Sequence, residues 1–182
     1  MLFGLVGHSG VGKSALTHAL MINFSGKWGI TQVGFADIIE DMVEALGVDR
    51  ELLDDKAHWN VSMDVLSGHT IREAVDSLGA WGRAQNTNMW INAAMRRAAF
   101  AQQRGHIVII ENIRFPAEFE TVEKAGGISI GINRPHIVPD IHKETERYIP
   151  MLLPMCNHAF ENDTSLADAS VRFVRLISSL MD

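Results

Sequence analysis

The chain has 182 residues, of which 47 % are hydrophobic and 21 % charged, with a net charge of −6 and one cysteine. That length suits one domain with one substantial core, and the acidic balance argues against a broad polyanion-binding surface while leaving a local basic groove open. A lone Cys156 excludes an internal disulfide framework and fits a reducing cytoplasm. It reads as a small buried hydrophobe rather than a reactive thiol.

Leu2-Phe3-Gly4-Leu5-Val6 reads as a buried strand, and residues 13–24 read as a helix. Between them lies Gly7-His8-Ser9-Gly10-Val11-Gly12-Lys13-Ser14, a complete G-x-x-x-x-G-K-[ST] phosphate-binding loop. Its glycines let backbone N–H groups turn inward around phosphate oxygens, and the following helix adds its positive N-terminal end. The expected nucleotide contacts are Gly7, Ser9, Gly10, Val11, Gly12, Lys13, Ser14 and Ala15. Lys13 would reach the β/γ-phosphates, and Ser14 would hold Mg²⁺. His8 either sits near phosphate or points to solvent. No basic segment precedes the first strand, so no cleaved signal peptide is expected. No apolar run is long enough to span a membrane, and no membrane partner is expected.

Gln32-Val33-Gly34-Phe35-Ala36 reads as a second strand, followed by a helix over 38–46. Asp37 then stands at the C-terminal edge of the sheet, where open α/β folds bind ligands. Two compatible readings are open: contact with an acceptor group, or a helix N-cap. Residues 47–69 lack periodicity and read as a mobile or irregular insertion. Thr70-Ile71-Arg72-Glu73 has the pattern of a capping box, opening a helix that should end near Leu78, before Gly79. A further helix is expected over 88–103, capped by Asn86-Thr87 and stopped by Gly105. Arg72, Arg83, Trp81 and Trp90 could clamp a phosphate and stack a base. The plainer alternative is a helix packed through its tryptophans.

His106-Ile107-Val108-Ile109-Ile110 reads as a central strand running into Glu111-Asn112-Ile113-Arg114. Phosphoryl-transfer sites of this kind need a carboxylate near Mg²⁺ at such a strand end, which singles out Glu111. Arg114 could face phosphates or pair with Glu111 or Glu118. Pro116 suits the first turn of a helix that Gly126-Gly127 ends. Strands at 128–132 and 158–160, a helix over 140–148, and a last helix capped by Asp163-Thr164-Ser165 and reaching about Leu180 complete the chain. The alternation predicts a three-layer P-loop NTPase sandwich: a five-stranded, mostly parallel sheet with helices on both faces. The scattered histidines and single cysteine give no zinc spacing. GTP-binding switches usually carry Asn-Lys-x-Asp, which is missing here, so a nucleotide-dependent switch is the weaker alternative to an enzyme.

The ordered motifs resemble those of phage deoxynucleoside monophosphate kinases, from residue 4 to about 177. Thr70-Ile71-Arg72-Glu73-Ala74, Leu78-Gly79, Arg83 and Trp90 follow that family's arginine-bearing acceptor helix. Asn112-Ile113-Arg114-Phe115-Pro116-Ala117-Glu118 is similar to its D-V-R-F-P-N-E. Phe35-Ala36-Asp37, Asp55-Lys56, Gly126-Gly127 with Arg134-Pro135, His142-Lys143-Glu144-Thr145-Glu146, and Glu161-Asn162-Asp163 with Ser165-Leu166 keep the family order. Dephospho-coenzyme A kinase and a phage kinase acting on hydroxymethyluracil in DNA are relatives.

The resemblance implies one kinase domain over 1–182, with 47–105 as a helical acceptor-binding insertion and about 136–150 as a lid-like segment. It implies ATP and Mg²⁺ as cofactors and a deoxynucleoside monophosphate as acceptor, in the host cytoplasm. It implies that Lys13, Asp37, Arg72 and Arg114 are catalytic, that Asp37, Arg72, Arg83, Trp90 and Arg114 bind the acceptor, that Arg147 closes over ATP, and that Ser14 and Glu111 serve the metal. Three departures bear on the acceptor or metal: Asn112 replaces the family aspartate, Val75-Asp76 replaces Leu-Gln, and Glu40 stands where a lysine is usual. DNA as acceptor and a homodimer stay open at this level.

Overall fold

The computed structural model describes residues 1–26, 28–138 and 144–181. Its α/β frame is set by five strands: β1 (Leu2–Val6), β2 (Ile30–Gly34), β3 (Ile107–Ile113), β4 (Ile128–Asn133) and β5 (His158–Glu161). They pair in the order β2-β3-β1-β4-β5, and every pairing is parallel. Parallel strands covered on both faces are apolar along their length, and β1, the central strand, is buried at all five positions.

Helices α1 (Lys13–Asn23) and α9 (Leu166–Ser179) pack together over one face. Leu16, Leu20, Phe173 and Ile177 meet Phe3, Leu5, Ile109, Ile130 and Ile132 there, and all nine are fully buried. At roughly 1.5–3 kcal/mol per large apolar side chain, this layer dominates the stability of the sheet. Helix α6 (Pro116–Lys124) covers the other face, with Val122 approaching Gly4 of β1. Pro116 takes the first helical turn as expected, where its missing N–H costs nothing.

The chain divides into two compact units: residues 1–34 with 96–182, and residues 35–95. The second unit holds α2 (Asp37–Ala45), α3 (Arg50–Asp54), α4 (Ile71–Gln85) and the start of α5 (Met89–Gln103). Its bounds differ from the 47–105 insertion expected from sequence. It has its own core of Ile39, Val43, Val48, Leu53, Trp59, Leu66, Ile71, Val75 and Trp90.

The fold departs from several sequence expectations. Strand β2 ends at Gly34, so Phe35 and Ala36 form a turn, and Asp37 is the first residue of α2 rather than its N-cap. Residues 47–69 are not irregular. They form α3 and two 3₁₀ turns, Lys56–Asn60 and Asp64–Leu66, each burying one large side chain in the unit's core. Helix α4 opens with the expected capping box, Thr70 and Glu73 each accepting the other's backbone N–H. It runs through Gly79 to Gln85, with Gly82 leaving clearance for Trp90. A Cβ on Gly82 would lie 2.1 Å from the Trp90 ring, and the Trp90 indole N–H donates to the Gly79 carbonyl at 3.0 Å. Of the helix expected over 140–148, residues 140–143 lie outside the described residues. The rest is α7 (Glu144–Arg147), followed by α8 (Ile149–Leu152).

Candidate active site

The loop between β1 and α1 turns back on itself through left-handed residues Gly10, at φ 81°, and Gly12, at φ 96°. Gly12 is required twice over. A side chain there would be strained by the backbone and would also collide with the Asn162 amide, 2.5 Å from its Cβ. That amide, buried just beyond β5, donates to the Val11 carbonyl at 2.7 Å and pins the loop from behind. Gly7, Ser9, Gly10, Val11, Gly12, Lys13, Ser14 and Ala15 are therefore gathered in one turn at the start of α1.

Lys13 is 5 % exposed, and its Nζ donates to the carbonyls of Gly7 at 2.7 Å and His8 at 2.9 Å. Burial, with nearby Arg114 acting in the same sense, pushes its pKa down to about 8 against the opposing pull of Glu146 and Glu111. Ser14 Oγ donates to Glu111 Oε2 at 2.9 Å. The other oxygen, Glu111 Oε1, is buried without a hydrogen-bond partner among the described residues. A polar oxygen left unpaired in the interior is costly unless a cation or a donor completes it.

That pairing tests the fit of Mg²⁺. The ion takes one or two carboxylates and fills its octahedron with water and phosphate oxygens, so a dedicated protein cage is not needed. Among the described residues no group of three His, Cys, Asp or Glu side chains could form such a cage. A serine hydroxyl at a helix N-terminus beside an unsatisfied carboxylate oxygen is a fitting donor set.

Glu111 shares the alternation of Ile107 and Ile109, which pack with Leu16 and Leu20 of α1, and β3 becomes irregular just beyond it. Gly4 pairs with Ile110 and Val6 with Ile113, so Leu5 faces two residues, Glu111 and Asn112. Asn112 is the bulged residue, at φ 62°. Asparagine is one of the few residues that tolerate this conformation. Strand β3 thus extends three residues beyond its expected end, and Glu111 lies inside it at 1 % exposure.

Arg114, at the end of this strand, pairs with neither Glu111 nor Glu118 through its guanidinium. Its partner is Glu146 on α7. Glu118 instead accepts the backbone N–H groups of Arg114 at 2.8 Å and Phe115 at 3.1 Å, fixing the entry to α6. Glu146 also accepts from His8 Nδ1 at 2.7 Å and from the Ser9 backbone N–H at 3.1 Å. Burial works against its charge, but these three donors outweigh it and hold the carboxyl below its usual range. His8 is therefore buried against a carboxylate rather than turned to solvent. The sequence alone assigns no role in the loop to Glu146 or Asn162, because no local pattern ties either residue to a turn so distant in the chain.

Asp37, Arg72, Arg83 and Trp90 all belong to the second unit. Arg72 stacks on Trp59, with its guanidinium carbon 4.6 Å from the ring centroid, and Lys56 lies over the same ring at 5.1 Å. Two cations are thus held against one aromatic ring. Half-buried Asp37 and Glu40 lie near one another. Burial, opposed by Lys56 and reinforced by Asp37, raises the Glu40 carboxyl above its usual range. Arg83 is exposed, folded back toward Gly79. Trp90 is buried and committed through its indole N–H, so its ring serves the core. Arg147 is exposed at the end of α7. Among the described residues no helix is long and apolar enough to cross a membrane.

No protein-family model and no curated protein matches the sequence. Solved structures do match the fold. Shikimate kinase from Aquifex aeolicus aligns with a TM-score of 0.56 at 10 % identity, covering 100 % of this chain and 98 % of that one. Dephospho-CoA kinase from Campylobacter jejuni aligns with a TM-score of 0.53 at 14 % identity, covering 98 % and 96 %. The five-stranded parallel sheet and its flanking helices are thus a fold shared with these two kinases.

Proposed function

We propose that this chain is an ATP- and Mg²⁺-dependent kinase whose acceptor is a deoxynucleoside 5′-monophosphate, converted to the diphosphate. The observation that carries the reading is the Ser14–Glu111 pair at 2.9 Å, with one carboxylate oxygen left open beside the phosphate loop. The kinase fold of the solved neighbours supports phosphoryl transfer as the chemistry. The ordered resemblance to phage deoxynucleoside monophosphate kinases supports the acceptor.

Phosphoryl transfer asks little covalent chemistry of a protein and much positioning. In this reading the loop amides from Ser9 to Ala15 cradle the donor's phosphates, and Lys13 stabilises charge on the transferring group. Ser14 and Glu111 would hold Mg²⁺, which would supply charge neutralisation to the phosphates. Arg114 serves the transferring group, while Arg72 and Arg83 hold the acceptor phosphate. Stacking on Trp59 presets the Arg72 guanidinium, so less side-chain entropy is lost when it binds an anion. Asp37 contacts the acceptor, and Arg147 faces the nucleotide.

The test is ADP release from ATP and Mg²⁺ with a panel of acceptors: the deoxynucleoside monophosphates, dephospho-coenzyme A, and DNA containing hydroxymethyluracil. The Lys13→Ala variant is the blank and should lose at least about a hundredfold in rate, as for a lost oxyanion donor. Strong stimulation by one or more free monophosphates is expected. Stimulation by modified DNA alone keeps the loop chemistry and overturns the acceptor, and silence with every acceptor overturns the kinase reading.

A further inference from the structure

Phosphate loops gather N–H groups and cations around an anion. Here an anion of the protein's own already sits among them. Glu146 is 2 % exposed and lies 137 residues from the loop amide that it engages. Its Oε2 accepts from the Ser9 N–H and from His8 Nδ1, and its Oε1 takes the Arg114 guanidinium. One carboxylate thereby occupies a loop amide and the loop's imidazole, and it neutralises the arginine at the end of β3.

We propose that Glu146 is a built-in stand-in for the donor's terminal phosphate, which a nucleoside triphosphate must displace and a diphosphate need not. The inference rests on the reading of the loop as a nucleoside triphosphate site. The terminal position follows from the neighbours. Lys13 is the loop side chain suited to the β- and γ-phosphates, and its Nζ donates to the carbonyl of His8, the residue whose imidazole Glu146 engages. A phosphate and an ionised carboxylate cannot share one set of donors at hydrogen-bond distance, because their repulsion in a water-poor site is large. Entry of the terminal phosphate therefore transfers Ser9 N–H and Arg114 to the ligand and expels Glu146.

Two consequences follow. The apparent affinity for a triphosphate is reduced by the fraction of molecules in which the carboxylate is seated. The Glu146 contact that ties α7 to the loop is broken by triphosphate and kept with diphosphate, so the tethering of α7 reports which nucleotide the loop holds.

The experiment is calorimetric titration of the full chain with Mg²⁺–AMPPNP and, separately, Mg²⁺–ADP. The proteins compared are wild type, Glu146→Gln and Glu146→Ala. Loss of the competing carboxylate should tighten AMPPNP binding by about tenfold, the worth of one charge-assisted hydrogen bond, and change ADP binding by less than about threefold. AMPPNP binding that is unchanged or weaker in both variants overturns the proposal and makes Glu146 a fixed support for Arg114. A wild-type measurement guards against variants that do not fold: hydrogen exchange of the segment 144–152 should speed up with AMPPNP and not with ADP, and equal or slower exchange overturns the proposal. If wild type binds neither nucleotide, the reading of the loop itself falls. If it binds both while the variants leave the ratio unmoved, only the role of Glu146 falls.

Discussion

The buried charge of Lys13 should be readable in the pH dependence of stability, using Lys13→Met as the reference. The lysine is 5 % exposed, and its pKa is lowered to about 8 in the fold. In the unfolded chain a lysine titrates near ~10.4. Between these values the unfolded chain carries a proton that the folded chain has lost, so stability rises with pH across that window. The full difference corresponds to about 3 kcal/mol. Below pH 8 both states are protonated and the curve should be flat.

Wild type alone cannot show this cleanly, because Cys156 acts in the opposite direction. Burial pushes its thiol up to about 11, so its contribution is present at neutral pH and is lost as pH rises through that value. Subtracting the Lys13→Met curve removes the cysteine, which both proteins carry. The assay is urea unfolding followed by tryptophan fluorescence from pH 7 to 10.5. The wild-type minus variant difference should climb by about 3 kcal/mol between pH 8 and 10.5 in favour of wild type. A flat difference would show that Lys13 is solvated in the fold as it is in the unfolded chain. If the protein is a kinase, kcat/KM should fall above about pH 8 for the same reason, since free-enzyme groups govern that profile.

Glu111→Gln should raise the Mg²⁺ concentration for half-maximal ADP release by about tenfold or more, and an unchanged requirement would remove Glu111 from the metal. Asn112→Val should cost about 1–2 kcal/mol in urea unfolding because of its left-handed backbone, while Asn112→Gly should stay within about 0.5 kcal/mol of wild type. Gly82→Ala should destabilise by about 1–3 kcal/mol through its clash with Trp90. Helix propensity alone predicts about 1 kcal/mol of the opposite sign, so the direction of the urea midpoint decides. Asn162→Ala leaves the Val11 carbonyl unpaired and should cost about 1–3 kcal/mol, with weaker nucleotide binding by calorimetry as the loop loosens.

What the sequence made legible was local. A strand, a glycine-rich turn and a helix lie within 24 residues, so the loop and its flanks follow from neighbouring residues alone. The capping box at Thr70 and Glu73 and the proline start of α6 are equally short-range. The misread segments share a different cause. Phe35 and Ala36 extend an apolar run that the sheet does not use, because the described pairing of β2 with β3 stops at Gly34 opposite Glu111. Residues 47–69 lack periodicity because Leu53, Trp59 and Leu66 each come from a separate turn of three to five residues, too short to show a helical period. Gly79 looks like a helix stop until the Trp90 indole is seen bound to its carbonyl. The His8–Glu146 contact joins residues 138 apart, and no spacing rule reaches that far.

The bulge in β3 bears on the departure at residue 112, where an asparagine replaces the family aspartate. The extra residue of β3 stands opposite Leu5, and it must take a left-handed backbone for Ile113 to return to register with Val6. Asparagine meets that demand more readily than most residues, whatever its side chain does. In regular pairing, without the bulge, Asn112 would stand opposite Val6 in place of Ile113, and an amide would enter a position that is now apolar and fully buried. The bulge thus keeps the apolar register of the sheet beyond Glu111, and one short stretch carries both Glu111, on Ser14, and Arg114, on Glu146. On the proposed reading, the carboxylate that the resemblance places at 112 is supplied one residue earlier, by Glu111. Asn112→Asp should then leave the Mg²⁺ requirement nearly unchanged, in contrast to Glu111→Gln.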